Sequence, residues 1–448
     1  MDKLKAITDS LTFRTFLISL IAIAMLIPLF MTQGIIHERN QYYSQTINDI
    51  SKGWGKQQTV VGPVLVVPYV EHIFSADTIT DKDGETRTIS RDIYTNKTII
   101  LLPEELNIDV KLNEQQRKRG IYSTLLYMAD LTITGNFDIS SLPAADSTSQ
   151  KVKWDKAYLS IGLSDTKAIT ETTPIRWEKA SAPLEPGTKL DGILNSGFHA
   201  SMKNTRRFNS RPDFRIKLSI KGSDGFRFAP LGKVTKANIE SGWSHPSFQG
   251  DILPNNKANI SKDGFNAQWS IPHLARNYPQ SWLLEEGKDA PKYDLYALTT
   301  GVNLFTPVSI YTKIDRSVKY GALFIGLTFI VFLLFEIIAK IRTHVIQYIL
   351  IGVSLSLFYL ILVSLSEHLP FLMSYAYAAA TTIGIITLYS AAVLKSFSRA
   401  IMIFLLLGSL YGVLFFILQM EDFALLAGTA LITLIIMIMM FATRHLQK

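Results

Sequence analysis

The chain has no cysteine among its 448 residues. An exported domain would therefore keep its shape without disulfides, and no thiolate could bind a metal. Catalytic signatures are also missing: there is no HExxH helix, no GxSxG elbow and no phosphate-binding glycine loop. His37, His72, His199, His245 and His273 are scattered without ligand spacing. The acidic turn Asp81-Lys82-Asp83-Gly84 fails as a calcium loop, because with Gly84 as the loop glycine the first ligand would be Ile79 and the bidentate one Ser90. Charge is thin, at 18% of residues, and the net +8 splits into about +5 in the central part and +3 elsewhere. An excess that mild excludes a nucleic-acid partner. No metal or cofactor is expected.

What is present is apolar length. Phe13 to Met31 is one stretch of the roughly 20 residues a bilayer-spanning helix needs. After roughly 285 more polar residues come Tyr320 to Ile338, Val345 to Leu365, Phe371 to Leu394, Ile401 to Leu418 and Phe423 to Thr443. The first run passes uninterrupted through Ala22-Ile23-Ala24, the one small-x-small site, so it reads as an uncleaved anchor. The expected fold is a membrane protein of six transmembrane helices, one N-terminal anchor plus a five-helix C-terminal bundle. The divisions fall at 1–33, 34–319 and 320–448.

Orientation follows from the short loops. Lys3, Lys5, Arg14, Lys340, Arg342, Lys395, Arg399, Arg444 and Lys448 all fall on one side of a six-span arrangement, whereas the opposite loops hold only Glu367, Glu421 and Asp422. Lys/Arg bias places both termini in the cytoplasm and residues 34–319 outside.

The exported part reads as mostly β, after a helical stalk over Ile35 to Ile50. Thr59 to Val70 is rich in β-branched residues, with Pro63 and Pro68 predicting an edge or bulged strand. Asp83-Gly84 predicts a hairpin. Further strands are expected at Thr98 to Leu102, Ile108 to Leu112, Leu131 to Phe137, Ala157 to Leu163, Phe214 to Ile220, Val234 to Trp243, Phe265 to Ile271 and Asp294 to Asn303. Phe214 to Lys221 alternates one apolar with one largely basic face. Short strands broken by Gly, Pro and Asn point to a large, sandwich-like domain between the first and second spans.

Functional candidates are few. Glu336, Glu367 and His368 are ionisable groups in or beside the spans, with Lys340 one turn from Glu336 as its expected partner. Trp243, His245, Phe248, Asp251 and Trp269 mark a distinctive aromatic segment, read as a strand-end corner with a functional surface as the other reading. All six tryptophans lie in the central domain and are assigned to core packing rather than to a sugar-stacking platform. The basic run Arg206, Arg207, Arg211, Arg215, Lys217 and Lys221 is assigned to a solvated strand face. Ala376, Ala380 and Gly384, and Gly408 with Gly412, are expected to let helices approach closely.

Several segments in order carry a family likeness: Val61-Gly-Pro-Val-Leu-Val-Val-Pro68, Gly120-Ile-Tyr122 before Leu131 to Phe137, Ser241 to Pro254 followed by Gly264 to Trp269, Phe335-Glu336, Gln347-Tyr348, and Ser364 to His368. Together they resemble the CreD family across nearly the whole chain. The resemblance implies a bacterial inner-membrane protein with a periplasmic domain, linked to cell-envelope integrity and envelope stress under a two-component regulator. It implies no reaction and no catalytic residues. The expected function is non-enzymatic support of the envelope, with the bilayer and a periplasmic component or protein as partners. A transporter or lipid-handling protein using the C-terminal bundle is the alternative, and an exported hydrolase the third class.

Overall fold

A computed structural model describes residues 11–80, 86–140, 142, 150–202, 210–255, 259–285, 293–304, 310–339, 344–394, 396–420 and 424–443. The chain divides into two compact units, Met1–Thr46 with Pro307–Lys448, and Ile47–Thr306.

The N-terminal stretch forms helices Leu11–Ala24 and Leu26–Trp54, the first unit holding them as far as Thr46. The step at Met25 has a local cause: Pro28 has no N–H for the Ala24 carbonyl, and its ring crowds that turn. The expected stalk is the second of these helices, ending at Trp54. Later helices are Ile310–Lys319, Gly321–Ala339, Val345–Ser366, Phe371–Leu394, Phe397–Gln419 and Ala424–Thr443. The helix Ile310–Lys319 was not expected, although Tyr311, Ile314 and Val318 fall on one face and are buried.

Five segments among the described residues are long and apolar enough to cross a bilayer: Phe13–Trp54, Ile310–Leu333, Val345–Ser366, Phe371–Leu394 and Phe397–Gln419. Six were expected. Ala424–Thr443 is helical, but its 20 residues only just meet the length of a span and both its flanks lie outside the described residues.

Small residues pack differently from expectation. Ala376 and Ala380 are exposed, and Gly384, Gly408 and Gly412 have open space where a side chain would stand. Close approaches occur elsewhere, at Gly321, Gly352 and Gly428, where a Cβ would lie 2.9 Å from Leu29, 2.6 Å from Met25 and 2.5 Å from Tyr320. The unit's interior is instead aromatic: Tyr359, Phe358 and Phe324 are buried, and Tyr375 donates to the Tyr411 carbonyl at 2.6 Å.

The second unit is a large mixed β domain. Among the described residues its strands form one ten-stranded and one nine-stranded sheet. The inner faces share a single core, with Val61, Val64 and Ile161 from the first sheet and Ile108, Ile133 and Ile216 from the second. Strand β1 (Gln58–Thr80) pairs with β2 (Thr86–Leu101) as the expected hairpin, whose turn at 81–85 lies outside the described residues. Of the two expectations for β1 the bulged strand holds and the edge does not: it is central, lying between Tyr158–Leu163 and Gly225–Phe228, the latter parallel to it. Its prolines are tolerated at gaps in the ladder. Pro63 sits in a register shift between Val61 and Val64. Pro68 falls where pairing with Tyr158–Leu163 stops at Val66 and pairing with Gln150–Val152 starts at Tyr69.

In the second sheet, β3 (Glu105–Arg119) and β4 (Tyr122–Asn136) form a long antiparallel pair, flanked by Val234–Ser241 on β3 and Asp213–Ser223 on β4. Alternation sends Phe214, Ile216, Leu218 and Ile220 inward, and Arg215 and Lys217 outward. The expected strand at Asp294 to Asn303 is shorter, Thr300–Leu304.

Candidate functional site

The ionisable groups of the helical unit are mostly paired. Arg14, in the first apolar stretch, donates through Nη1 to Glu336 Oε1. The other oxygen of Glu336 accepts from the Tyr348 hydroxyl at 3.1 Å. Glu336 is only 7% exposed, and Phe329 and Phe332 turn their rings edge-on to Tyr348 at 5.6 and 6.4 Å. Three helices thus converge on one carboxylate with both oxygens engaged. The expected partner Lys340 lies outside the described residues.

A second cluster surrounds Glu367. Arg39 Nε approaches its Oε1 at 3.6 Å, and the Tyr311 hydroxyl donates to the same atom at 3.3 Å. Beside it, Asp315 accepts from Gln33 at 3.3 Å and pairs with Lys319 at 2.8 Å. His368 takes a different role: its side chain is exposed, while its backbone N–H donates to Leu365 O at 3.0 Å and closes the preceding helix. Arg14 and Arg39 are 25 positions apart (39 − 14), about 37 Å of helical rise. A hydrocarbon core is about 30 Å thick, so the two ion pairs hold the first span near its opposite ends.

The two pairs differ in worth. Arg39 is 47% exposed and Glu367 14% exposed, so water competes for the contact. Arg39→Ala is expected to cost no more than about 1 kcal/mol, checked by heat unfolding of the purified protein. A loss several times larger would mean that this pair is shielded in the bilayer.

Arg14, Tyr348, Arg39 and Tyr311 were not named as candidates from sequence. One signal for Arg14 was available: it and Glu336 are single opposite charges in two different apolar stretches, and a charge in a span needs a counter-charge.

In the β domain, Trp269 is buried and its Nε1 donates to Ile252 O at 3.1 Å. Its ring meets Phe228 edge-on at 5.7 Å and Phe248 at 6.0 Å. Phe248 is half-buried and also contacts Phe265 at 5.9 Å. Trp243 is half-buried beside the exposed His245, ring centroids 5.9 Å apart. Asp251 is exposed and follows Gly250, whose φ of +105° makes the turn. Trp269 and Phe248 therefore join an aromatic corner, while His245 and Asp251 face solvent. Trp177 and Trp282 are buried as well, and Trp54 is half-buried, held between Arg117 and Lys221 at 4.6 Å each. None of these rings forms an open stacking platform. Among the described residues no three His, Asp or Glu side chains gather as a metal site. Of the basic run, Arg206 and Arg207 lie outside the described residues, and Arg211 pairs with Asp138 at 3.4 Å.

Comparison with known proteins agrees with the segment pattern. A family model described as inner membrane protein CreD matches residues 10–447. The inner membrane protein CreD of Escherichia coli (strain K12) is 31% identical over 427 residues, covering 94% of this chain and 90% of that protein.

Proposed function

The chain belongs to the CreD family of inner membrane proteins, and from that premise we propose that it supports cell-envelope integrity without catalysing a reaction. In this reading residues 34–319 lie outside the cytoplasmic membrane and contact envelope components or proteins, and the helical unit is their anchor. The observation that carries it is the pairing inside the helical unit: Arg14 with Glu336, and Arg39 with Glu367, close on each other across helices. Groups engaged in this way brace a bundle, whereas a transport path needs groups open to its cargo.

The absence of cysteine makes orientation simple to test. Asp251 is exposed, so an Asp251→Cys variant should react with a membrane-impermeant maleimide on intact spheroplasts, whereas Lys5→Cys should react only after lysis. The reverse labelling would refute the orientation. For function, a deletion strain should become sensitive to detergent, and the wild-type gene should restore its barrier. Equal detergent tolerance with and without the gene would refute the envelope reading.

A further inference from the structure

The solvent face of the nine-stranded sheet carries a run of polar cavities along β3. One of ≈550 Å³ is lined by Asn107, Thr134 and Asn136 among others. The next, of ≈610 Å³, shares Asn107 and Thr134 and adds Asn238 and Gln268. A third, of ≈490 Å³, continues past Lys111 and Asn113. From Glu105 to Asn113 the strand advances eight residues (113 − 105), a trough of about 27 Å at the ordinary strand rise.

Register explains the lining. Asn107 stands opposite Thr134 on β4 and beside Lys236, and Asn238 stands opposite Gln268. Residues paired this way share a face, so carboxamides and hydroxyls recur across four strands. Two of the amide oxygens, Asn136 Oδ1 and Asn238 Oδ1, are buried without a hydrogen-bond partner, one in each of the two adjoining cavities.

We propose that this trough binds an extended, uncharged polyhydroxylated chain, that is, a glycan strand. Amide groups offer a donor and an acceptor side by side, which matches neighbouring hydroxyls that also donate and accept. The three cavities together are lined by five basic and seven acidic side chains, interspersed, so a polyanion is disfavoured and no strong single-sign field draws a polycation. An extended peptide is disfavoured because β3 and β4 are paired on both sides over Glu105–Leu112 and Leu126–Asn136, and peptides commonly add at a free strand edge.

The proposal rests on the envelope reading only for the source of its ligand. Full-length protein in nanodiscs is titrated with a β-1,4-linked N-acetylglucosamine hexamer, a β-glucan hexamer and an extended polar decapeptide, and sedimented with insoluble glycan polymer. Saturable binding of a hexamer, or of the polymer alone, supports the trough, the latter pointing to a structural polymer as the source. The Asn107→Ala, Asn238→Ala double variant should then bind at least tenfold more weakly with an unchanged unfolding temperature, and Ser244→Ala, outside the trough, should bind as wild type. Failure of every glycan probe, equal binding by the double variant, or binding of the decapeptide alone overturns the proposal. Such a failure alongside normal restoration of the detergent barrier would sink the trough and leave the envelope function standing.

Discussion

Arg14→Ala is expected to destabilise the helical unit by up to about 3–5 kcal/mol, the loss when one member of a buried ion pair is removed, the upper end being tempered by the 25% exposure of Arg14 itself. The cost does not come from the missing attraction alone. Glu336 is only 7% exposed in the intact pair, and a carboxylate that loses its Arg14 partner away from water is expensive. The double variant Arg14→Met, Glu336→Leu removes both charges and keeps apolar volume, so it should return close to wild type. Unfolding of the purified protein by heat and by graded detergent denaturation would measure all three. An Arg14→Ala protein within about 0.5 kcal/mol of wild type, no more than an ordinary exposed pair contributes, would show that the pair is not a brace.

Trp269→Ala is expected to cost about 3–5 kcal/mol, the range for deleting a large aromatic from a packed core. The indole is enclosed by Phe228 and Phe248, and its N–H satisfies the Ile252 carbonyl. Trp269→Phe should recover most of the packing and remove one of two donors to that carbonyl, which still accepts from the Thr300 hydroxyl, an intermediate loss. Trp243→Ala, at a half-buried ring, should fall well below both. Chemical unfolding followed by fluorescence distinguishes the series. If Trp243→Ala proved as damaging as Trp269→Ala, the corner would extend further than the ring contacts indicate.

Sequence periodicity was enough to locate most of the fold. Val345–Ser366 and Phe371–Leu394 are helices within a residue of the apolar runs that mark them, because hydropathy and helix length answer to the same bilayer thickness. Alternation likewise placed Asp213–Ser223, where every second side chain enters the core. The central position of β1 was not legible. Prolines usually signal an edge, and only long-range pairing reveals that Pro63 and Pro68 occupy breaks in the neighbouring strands. The small-residue stripes misled for a related reason: spacing defines a face but not what the face meets, and Gly408 and Gly412 meet open space. For the site, Glu336 and Glu367 could be singled out as rare charges, but their partners lie 322 and 328 positions away (336 − 14 and 367 − 39). A distance of that size along the chain carries no periodic signal.

The parallel pairing of β1 has a consequence for biosynthesis. Gln58 lies beside Phe226 in the finished sheet, 168 positions further on (226 − 58). At about 5–20 residues per second of chain growth, the segment Gln58 to Val60 waits roughly 8–34 s before that neighbour exists. During that interval its β-branched, uncharged surface is a template for unwanted strand pairing. The start of β1 is thus the last part of the strand to gain its neighbour: Thr86–Leu101 covers its far half early, and the flank at Gln58 to Val60 closes only when Gly225–Phe228 has emerged.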